Sequence, residues 1–332
     1  MKLIEISDVG GPDVLVVGER ATPRIEAHEV LVKVIAAGVN GPDLLQRRGH
    51  YPPPKGASDI LGLEVSGEIV ECGADVRQWA LGDKICALTN GGGYADYVAI
   101  DARHCLPIPD CVSLIDAAGL IETSFTVWSN VFMKDILKGA LYDESERPKG
   151  AHFLIHGGAG GIGSTAIQLG AAFGLKVFTT VSSGDKAAFC KALGAHTTIN
   201  YHMEDFVDML RDAGGADIIL DSIGGDYIAR NIKAARHDGR LVQLAFNQGS
   251  KVEINLMPVM LKRLTLTGST LRSRSADTKA AITKSVREHI WPLFQNSKLR
   301  ATTHKTFPLE EAAAAHTMME ASEHMGKIIL TL

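Results

Sequence analysis

The chain has 332 residues, 45% of them apolar and 22% charged, with a net charge of -4. That length allows about two domains with a core of ordinary size, and the weak negative charge supplies no basic footprint for nucleic acid. No apolar run approaches the roughly 20 residues that span a bilayer, so no membrane partner is expected.

The start, Met1-Lys2-Leu3-Ile4-Glu5, meets an acid at once and lacks the apolar stretch of a secretory signal, which makes the cytoplasm the expected compartment. Residues 1–120 read as β-rich and irregular. Val30-Leu31-Val32-Lys33-Val34-Ile35 and Glu68-Ile69-Val70-Glu71 have strand character. Turn signals crowd between them: Gly10-Gly11-Pro12, Gly41-Pro42-Asp43, Pro52-Pro53-Pro54, Gly82-Asp83 and Gly91-Gly92-Gly93. Short strands at close intervals predict a partly closed antiparallel barrel. Five cysteines (Cys72, Cys86, Cys105, Cys111, Cys190) form no C-x-x-C pair and read as reduced, space-filling thiols. The charged segment 142–149 reads as a solvated loop.

From about residue 150 the rhythm changes. Predicted strands at 152–155, 176–181, 197–200, 217–221, 240–244 and 264–267 alternate with helices, among them one from near Gly160, one at 186–193 and one at 204–211. Such alternation means a parallel, doubly wound sheet with right-handed crossovers. A helical stretch follows residue 270, Glu311-Ala312-Ala313-Ala314-Ala315-His316 reads as helix, and a last strand at 327–332 is expected to rejoin the N-terminal half.

The most informative segment is Gly158-Ala159-Gly160-Gly161-Ile162-Gly163, two residues after Phe153-Leu154-Ile155 and directly before Ser164-Thr165-Ala166-Ile167-Gln168-Leu169. Strand, G-x-G-x-x-G and helix in that order predict a dinucleotide site. The first glycine gives the tight turn, the second lets backbone approach a pyrophosphate, and the third lets the helix pack closely. Free N–H groups at the helix start face the anion. The bland alternative is a glycine turn that binds nothing. About 20 residues past Gly163, where a carboxylate would mark NAD, stands Ser183 in Ser182-Ser183-Gly184-Asp185-Lys186. Small hydroxyls with Lys186 accept a 2′-phosphate, so NADPH is favoured. An inward Asp185 would admit NADH, and a solvated helix start is the alternative for Ser183 and Lys186.

Across essentially its whole length the chain resembles the medium-chain dehydrogenase/reductase superfamily. Within it, the likeness is to the zinc-free quinone oxidoreductases, in the branch of the p53-inducible quinone oxidoreductase, with zeta-crystallin more distant. The residues that carry this are Gly62-Leu63-Glu64, Gly67, Val70, Gly73, Gly82-Asp83-Lys84-Ile85, the stretch Asn40-Gly41-Pro42-Asp43-Leu44-Leu45-Gln46-Arg47-Arg48-Gly49-His50-Tyr51, and the glycine region 154–168. Ala171 departs from the basic residue usual there. The resemblance implies an α/β chain: a GroES-like, partly open β-barrel catalytic domain over 1–124, completed by 268–332, and a Rossmann doubly wound parallel-sheet domain over 125–267.

Where zinc enzymes of the superfamily carry ligands, this chain has Leu63, the thiol-free Asn40-Gly41-Pro42-Asp43 and the thiol-free Leu120-Ile121-Glu122-Thr123, so no metal is expected. The resemblance further implies that Tyr201 flanks the adenosine; Leu244, Ala245 and Phe246 follow a strand and are expected to line the nicotinamide, with plain packing the alternative. Thr126, Ser222, Ser269, Thr270 and Leu271 resemble cofactor-contacting positions, with plain packing the alternative for each. Asn40 and Tyr51 are the candidates for ordering the acceptor and the nicotinamide ribose or amide, and the alternative for Tyr51 is a cover on the barrel edge. Arg272 and Arg274 either bind phosphate, cap the cleft or are merely exposed, while His50, His104, His156 and His289 read as structural.

The expected activity is metal-independent, NADPH-dependent quinone reduction, by hydride or single-electron transfer, in a cleft between the domains. An enal or enoyl-thioester reductase and a non-catalytic NADPH-binding protein are the rivals. A homodimer joined at the edge strand 264–267 is expected.

Overall fold

The computed structural model describes residues 1–133 and 150–332, so the loop read at 142–149 lies outside the described residues. The chain divides into two compact units, Met1–Phe125 with Arg272–Leu332, and Thr126–Leu271. Its strands are β1 (Lys2–Ile6), β2 (Leu15–Glu19), β3 (Glu29–Gly38), β4 (Glu64–Cys72), β5 (Lys84–Leu88), β6 (Tyr97–Asp101), β7 (Cys105–Pro107), β8 (His152–Ile155), β9 (Lys176–Val181), β10 (Thr197–Asn200), β11 (Ala216–Asp221), β12 (Ala235–Gln243), β13 (Thr265–Gly268), β14 (Thr303–Pro308) and β15 (Lys327–Thr331).

In the first unit β1 and β2 pair with each other, and the larger sheet runs β14-β15-β3-β4-β5-β7, with β6 also on β3. Strand β3 is the hub. It takes β6 along Glu29–Lys33, β15 along Ala36–Gly38 and β4 along nearly its whole length. Register shifts between Leu31 and Val32 and between Val34 and Ala36 bend it enough to serve all three. Val30, Val32, Ile69, Ile85, Leu309, Ile328 and Leu330 fill the core around it.

The return of the last strand matches the expectation, since β15 pairs antiparallel with β3. One pairing corrects the expected all-antiparallel barrel: β14 and β15 are parallel. The helix Ala312–Glu320 lies between them, and a parallel pair needs a connection of this crossover type rather than a hairpin.

The second unit is a six-stranded sheet in the order β10-β9-β8-β11-β12-β13, every pair parallel. Phe153, Leu154, Ile155, Val177 and Ile219 are buried, the near-continuous apolar runs that strands covered on both faces require. The chain moves outward from β8 to β10 and then crosses back to β11, so the order reverses beside β8. Ligands of such sheets bind at that reversal, beyond the carboxyl ends of the strands. Among the described residues no helix is long and apolar enough to cross a membrane.

Candidate functional site

The candidate residues fall into two groups, one in each unit. In the second unit the glycine turn joins β8 to the helix Gly161–Ala172. A Cβ on Gly158 would collide with Thr179 Oγ1, and one on Gly163 with the Gly157 carbonyl, so both glycines let helix and sheet close on each other. A Cβ on Gly160 would meet nothing nearer than 3.6 Å. A Cβ on Gly157 would meet nothing within 4 Å, and Gly160, Gly161 and Ile162 are half-buried at the start of a twelve-residue helix. The roles differ from the sequence reading at one point. The left-handed residue of the turn is Gly157, with φ +70°, while Gly158 is needed for packing. The doublet Gly157-Gly158 was the available signal.

A hydrogen-bond relay ties this turn to the next loop. The Gly157 N–H donates to Thr180 Oγ1 (3.2 Å), and Thr180 Oγ1 lies 3.1 Å from His156 Nδ1. His156 Nε2 faces Asn231 Oδ1 at 2.7 Å, and Asn231 Nδ2 donates to Asp221 Oδ2 at 3.0 Å. Burial pushes the His156 imidazole down in pKa, so it is neutral. Nε2–H then donates to the amide oxygen and Nδ1 accepts from the threonine. Asp221 Oδ1 in turn accepts from the N–H groups of Ile223 (2.6 Å) and Gly224 (3.3 Å). His156 is thus structural, as read, and its work is to lock the loop holding Ser222.

The other expected nucleotide residues follow strand ends of the same sheet. Ser183 caps the helix Gly184–Ala192, accepting from the Lys186 N–H, and Lys186 Nζ donates to Ser182 Oγ at 3.2 Å. Asp185 is exposed. Tyr201 follows β10 and is 42% exposed. Leu244 donates its N–H to Asp221 O (2.8 Å), the Ala245 carbonyl accepts from Gln243 Nε2 (2.6 Å), and Phe246 is exposed. The Ser269 N–H bonds Gln243 O at 3.1 Å, placing Ser269, Thr270 and Leu271 just beyond β13. Thr126 lies in the helix Ile121–Val127, its carbonyl accepting from Asn130 Nδ2.

In the first unit Asn40 precedes the helix Gly41–Arg47 and is buried. Its Nδ2 donates to Glu64 Oε1 (3.0 Å) and Gly38 O (3.2 Å), and its Oδ1 accepts from Lys327 Nζ (2.7 Å). Lys327 Nζ also bonds Val39 O (3.0 Å) and pairs with Glu64 Oε1 (2.7 Å), which uses all three of its hydrogens. Both amide hydrogens of Asn40 are committed to the protein. Asp43 accepts from the N–H of Asn40 and Gly62, and the Tyr94 hydroxyl donates to it; burial pushes its carboxyl up to about 6. Behind Tyr94 stands His316, held neutral with its pKa pushed down to about 3 by burial and by Arg47.

Tyr51 is half-buried, with the Arg272 guanidinium 5.8 Å from its ring centre; burial raises its hydroxyl pKa. Arg272 corrects the exposed reading: it is 6% accessible. Its Nε and Nη2 donate to Asn90 O (3.0 and 2.7 Å) and its Nη1 to Gln46 Oε1 (2.6 Å). Lys279, 1% accessible, donates to Asn90 Oδ1 (2.5 Å) and Arg272 O (2.8 Å), and burial lowers it to about 8. Neither Lys279 nor the acid Glu122 was singled out as an active group in the sequence, because one charged residue on a helix gives no periodic signal. Among the described residues no group of three His, Cys, Asp or Glu is placed to hold a metal ion.

Comparison with known proteins supplies the context. The family described as alcohol dehydrogenase GroES-like domain matches residues 26–110, and that described as zinc-binding dehydrogenase matches 161–287. A quinone oxidoreductase of Rattus norvegicus is 28% identical, over 100% of this chain and 98% of that protein. The Escherichia coli quinone oxidoreductase, solved in complex with NADPH, superposes with a TM-score of 0.85 at 26% identity, over 100% of both chains. The CurK enoyl reductase gives 0.82 at 26%, over 99% of this chain and 98% of that one.

The contrast between the glycines yields a stability test. Gly158→Ala is expected to destabilise the protein by about 1–3 kcal/mol in chemical denaturation, through overpacking. Gly160→Ala, with open space around its Cβ and an extended backbone, stays within about 0.5 kcal/mol of the parent.

Proposed function

The chain belongs to the medium-chain dehydrogenase/reductase superfamily, and from that premise we propose that it binds NADPH at the glycine turn and reduces quinones without a metal. The observation that carries this reading is the start of the helix Gly161–Ala172, which follows two turn glycines with open space around them, Gly157 and Gly160, and whose first-turn N–H groups have no intrahelical partner. Bound NADPH supplies a hydride. Gly160 lets the diphosphate approach, its own N–H being bonded to the Gly157 carbonyl (3.1 Å). The N–H groups of Gly161 and Ile162 take the diphosphate, and Ser183 with Lys186 takes the 2′-phosphate while Asp185 faces solvent. Tyr201 flanks the adenosine. Ser222, Leu244, Ala245, Phe246, Ser269, Thr270, Leu271 and Thr126 serve the nicotinamide half.

On the first unit, Tyr51 with Arg272 at its ring orients the acceptor. A quinone suits a site without a Lewis acid, because its reduced form is a stabilised phenolate; near-attack positioning is worth about 7–11 kcal/mol of barrier. Asn40, its amide already engaged, acts as a positioning residue. Leu63 offers no donor atom where a zinc ligand would stand. The likeness to quinone oxidoreductases along the full length supports this substrate class. A second reading, an enal or enoyl-thioester reductase, is favoured by the likeness to an enoyl reductase.

We also propose a homodimer. Strand β13 ends the sheet with an open edge, and Leu256, Met257, Met260, Leu261 and Leu266 beside it are exposed large apolar residues. An open apolar edge of that kind pairs readily with a second copy.

A panel of 1,2-naphthoquinone and a 2-enal, each with NADPH and NADH, tests the substrate. Quinone turnover with NADPH, unchanged by chelator, is expected; faster turnover of the enal selects the second reading, and binding without turnover of either contradicts both. Lys186→Ala should raise KM for NADPH about tenfold, the loss of one charge-assisted phosphate contact, and leave KM for NADH nearly unchanged. Light scattering should return twice the chain mass, falling to one chain for Leu266→Asp; a monomeric parent contradicts the dimer.

A further inference from the structure

One buried group in the first unit has no structural partner. Glu122 stands in the first turn of the helix Ile121–Val127, fixed by its own N–H, which donates to Glu64 Oε2 at 2.9 Å. Its side chain is 9% exposed, and its carboxyl makes no hydrogen bond or ion pair with any described residue. A largely buried carboxyl without a partner is costly to ionise, and its unbonded oxygens are left to a ligand or to water.

The surroundings suggest what that is. Tyr51, Arg272 and Lys279 all lie within electrostatic range of Glu122. The Tyr51 hydroxyl has no partner among the described residues. The bonds to Asn90, Gln46, Ser58 and the Arg272 carbonyl leave one N–H over on Arg272 Nη1 and one on Lys279 Nζ. An acid, a hydroxyl and two spare cationic donors thus lie within electrostatic range of one another, with the Arg272 guanidinium 5.8 Å from the Tyr51 ring centre.

We propose that Glu122 is the proton donor to the acceptor, its carboxyl O–H meeting an oxygen of the bound quinone; this rests on the quinone reading above. The hydride brings the quinone two electrons and one proton, leaving it one negative charge. The Glu122 O–H bond breaks, an O–H bond forms on the quinone oxygen, and the product leaves as neutral hydroquinone. The carboxylate left behind lies within electrostatic range of Arg272 and Lys279 and regains its proton from water, so each turnover consumes one proton from solution.

Burial, with Glu64 close by, pushes Glu122 up to about 8, against the opposing pull of Lys327 and Lys279. Asp43 adds a smaller upward push. Glu122 therefore holds its proton at neutral pH, with a pKa near the working range, as a general acid requires.

The test compares the full chain with Glu122→Gln and Glu122→Asp, using NADPH and 1,2-naphthoquinone across pH. Glu122→Gln should lower kcat about 10²-fold, with KM for NADPH unchanged and without the parent's fall in rate above about pH 8. Glu122→Asp, which keeps an acid, should recover most of the rate. In infrared spectra the parent should show a protonated-carboxyl C=O band at neutral pH that Glu122→Gln lacks. Parental kcat in Glu122→Gln, equal losses in both variants, or no such band in the parent would overturn the proposal. A parent inert to every quinone defeats the substrate reading instead, and the infrared band still decides whether Glu122 holds a proton.

Discussion

The second unit depends on one close approach: the start of the helix Gly161–Ala172 against β8 and β9. It is possible only because Gly158 and Gly163 have no side chain where Thr179 and the Gly157 carbonyl sit. That contact aims the first N–H groups of the helix past the carboxyl edge of the sheet, which is what an anionic ligand needs. The relay from Gly157 through Thr180, His156 and Asn231 to Asp221 carries the same rigidity to the loop of Ser222. Leu244 then hangs from the Asp221 carbonyl, so loops after three different strands are fixed by one buried chain of bonds. A site on loops becomes as exact as one on strands when the loops are tied in this way.

The first unit solves a different problem, that of keeping several charges out of water beside a half-exposed tyrosine. Glu64 and Lys327 are paired and fully bonded, and Asn40 closes the third side. Removing one partner from such a pair typically costs about 3–5 kcal/mol, because the other is left buried and charged. The last strand, returning to β3, delivers Lys327 to the pair. Asp43, Tyr94, His316 and Arg47 form a second chain of bonds under the same helix. Arg272 and Lys279 each keep a donor hydrogen that no bond within the protein uses, and the Glu122 carboxyl has no partner among the described residues.

Much of this was legible from the residues, for reasons that differ by element. The parallel sheet announced itself because strands such as Phe153-Leu154-Ile155 are apolar throughout and separated by helices of regular length. The glycine turn was readable because its function restricts its composition. The short strands β1, β5, β6 and β7 were not, since three to five residues give too little alternation to count. Nor was the parallel β14–β15 pair, whose partners are joined by a helix that reads as any other helix. In the site, Asn40 and Tyr51 came from resemblance, and the geometry separates them: one is locked inside the fold, the other stands half-free. Arg272 looked like a surface residue because burial of a cation depends on neighbours (Asn90, Gln46) far away in sequence.

A crystal structure of the chain with bound NADPH tests the central claim most directly. The diphosphate should lie over Gly160 and against the N–H groups of Gly161 and Ile162, with the 2′-phosphate beside Ser183 and Lys186. A coenzyme bound elsewhere, with that turn vacant, would contradict the role assigned to the whole second unit.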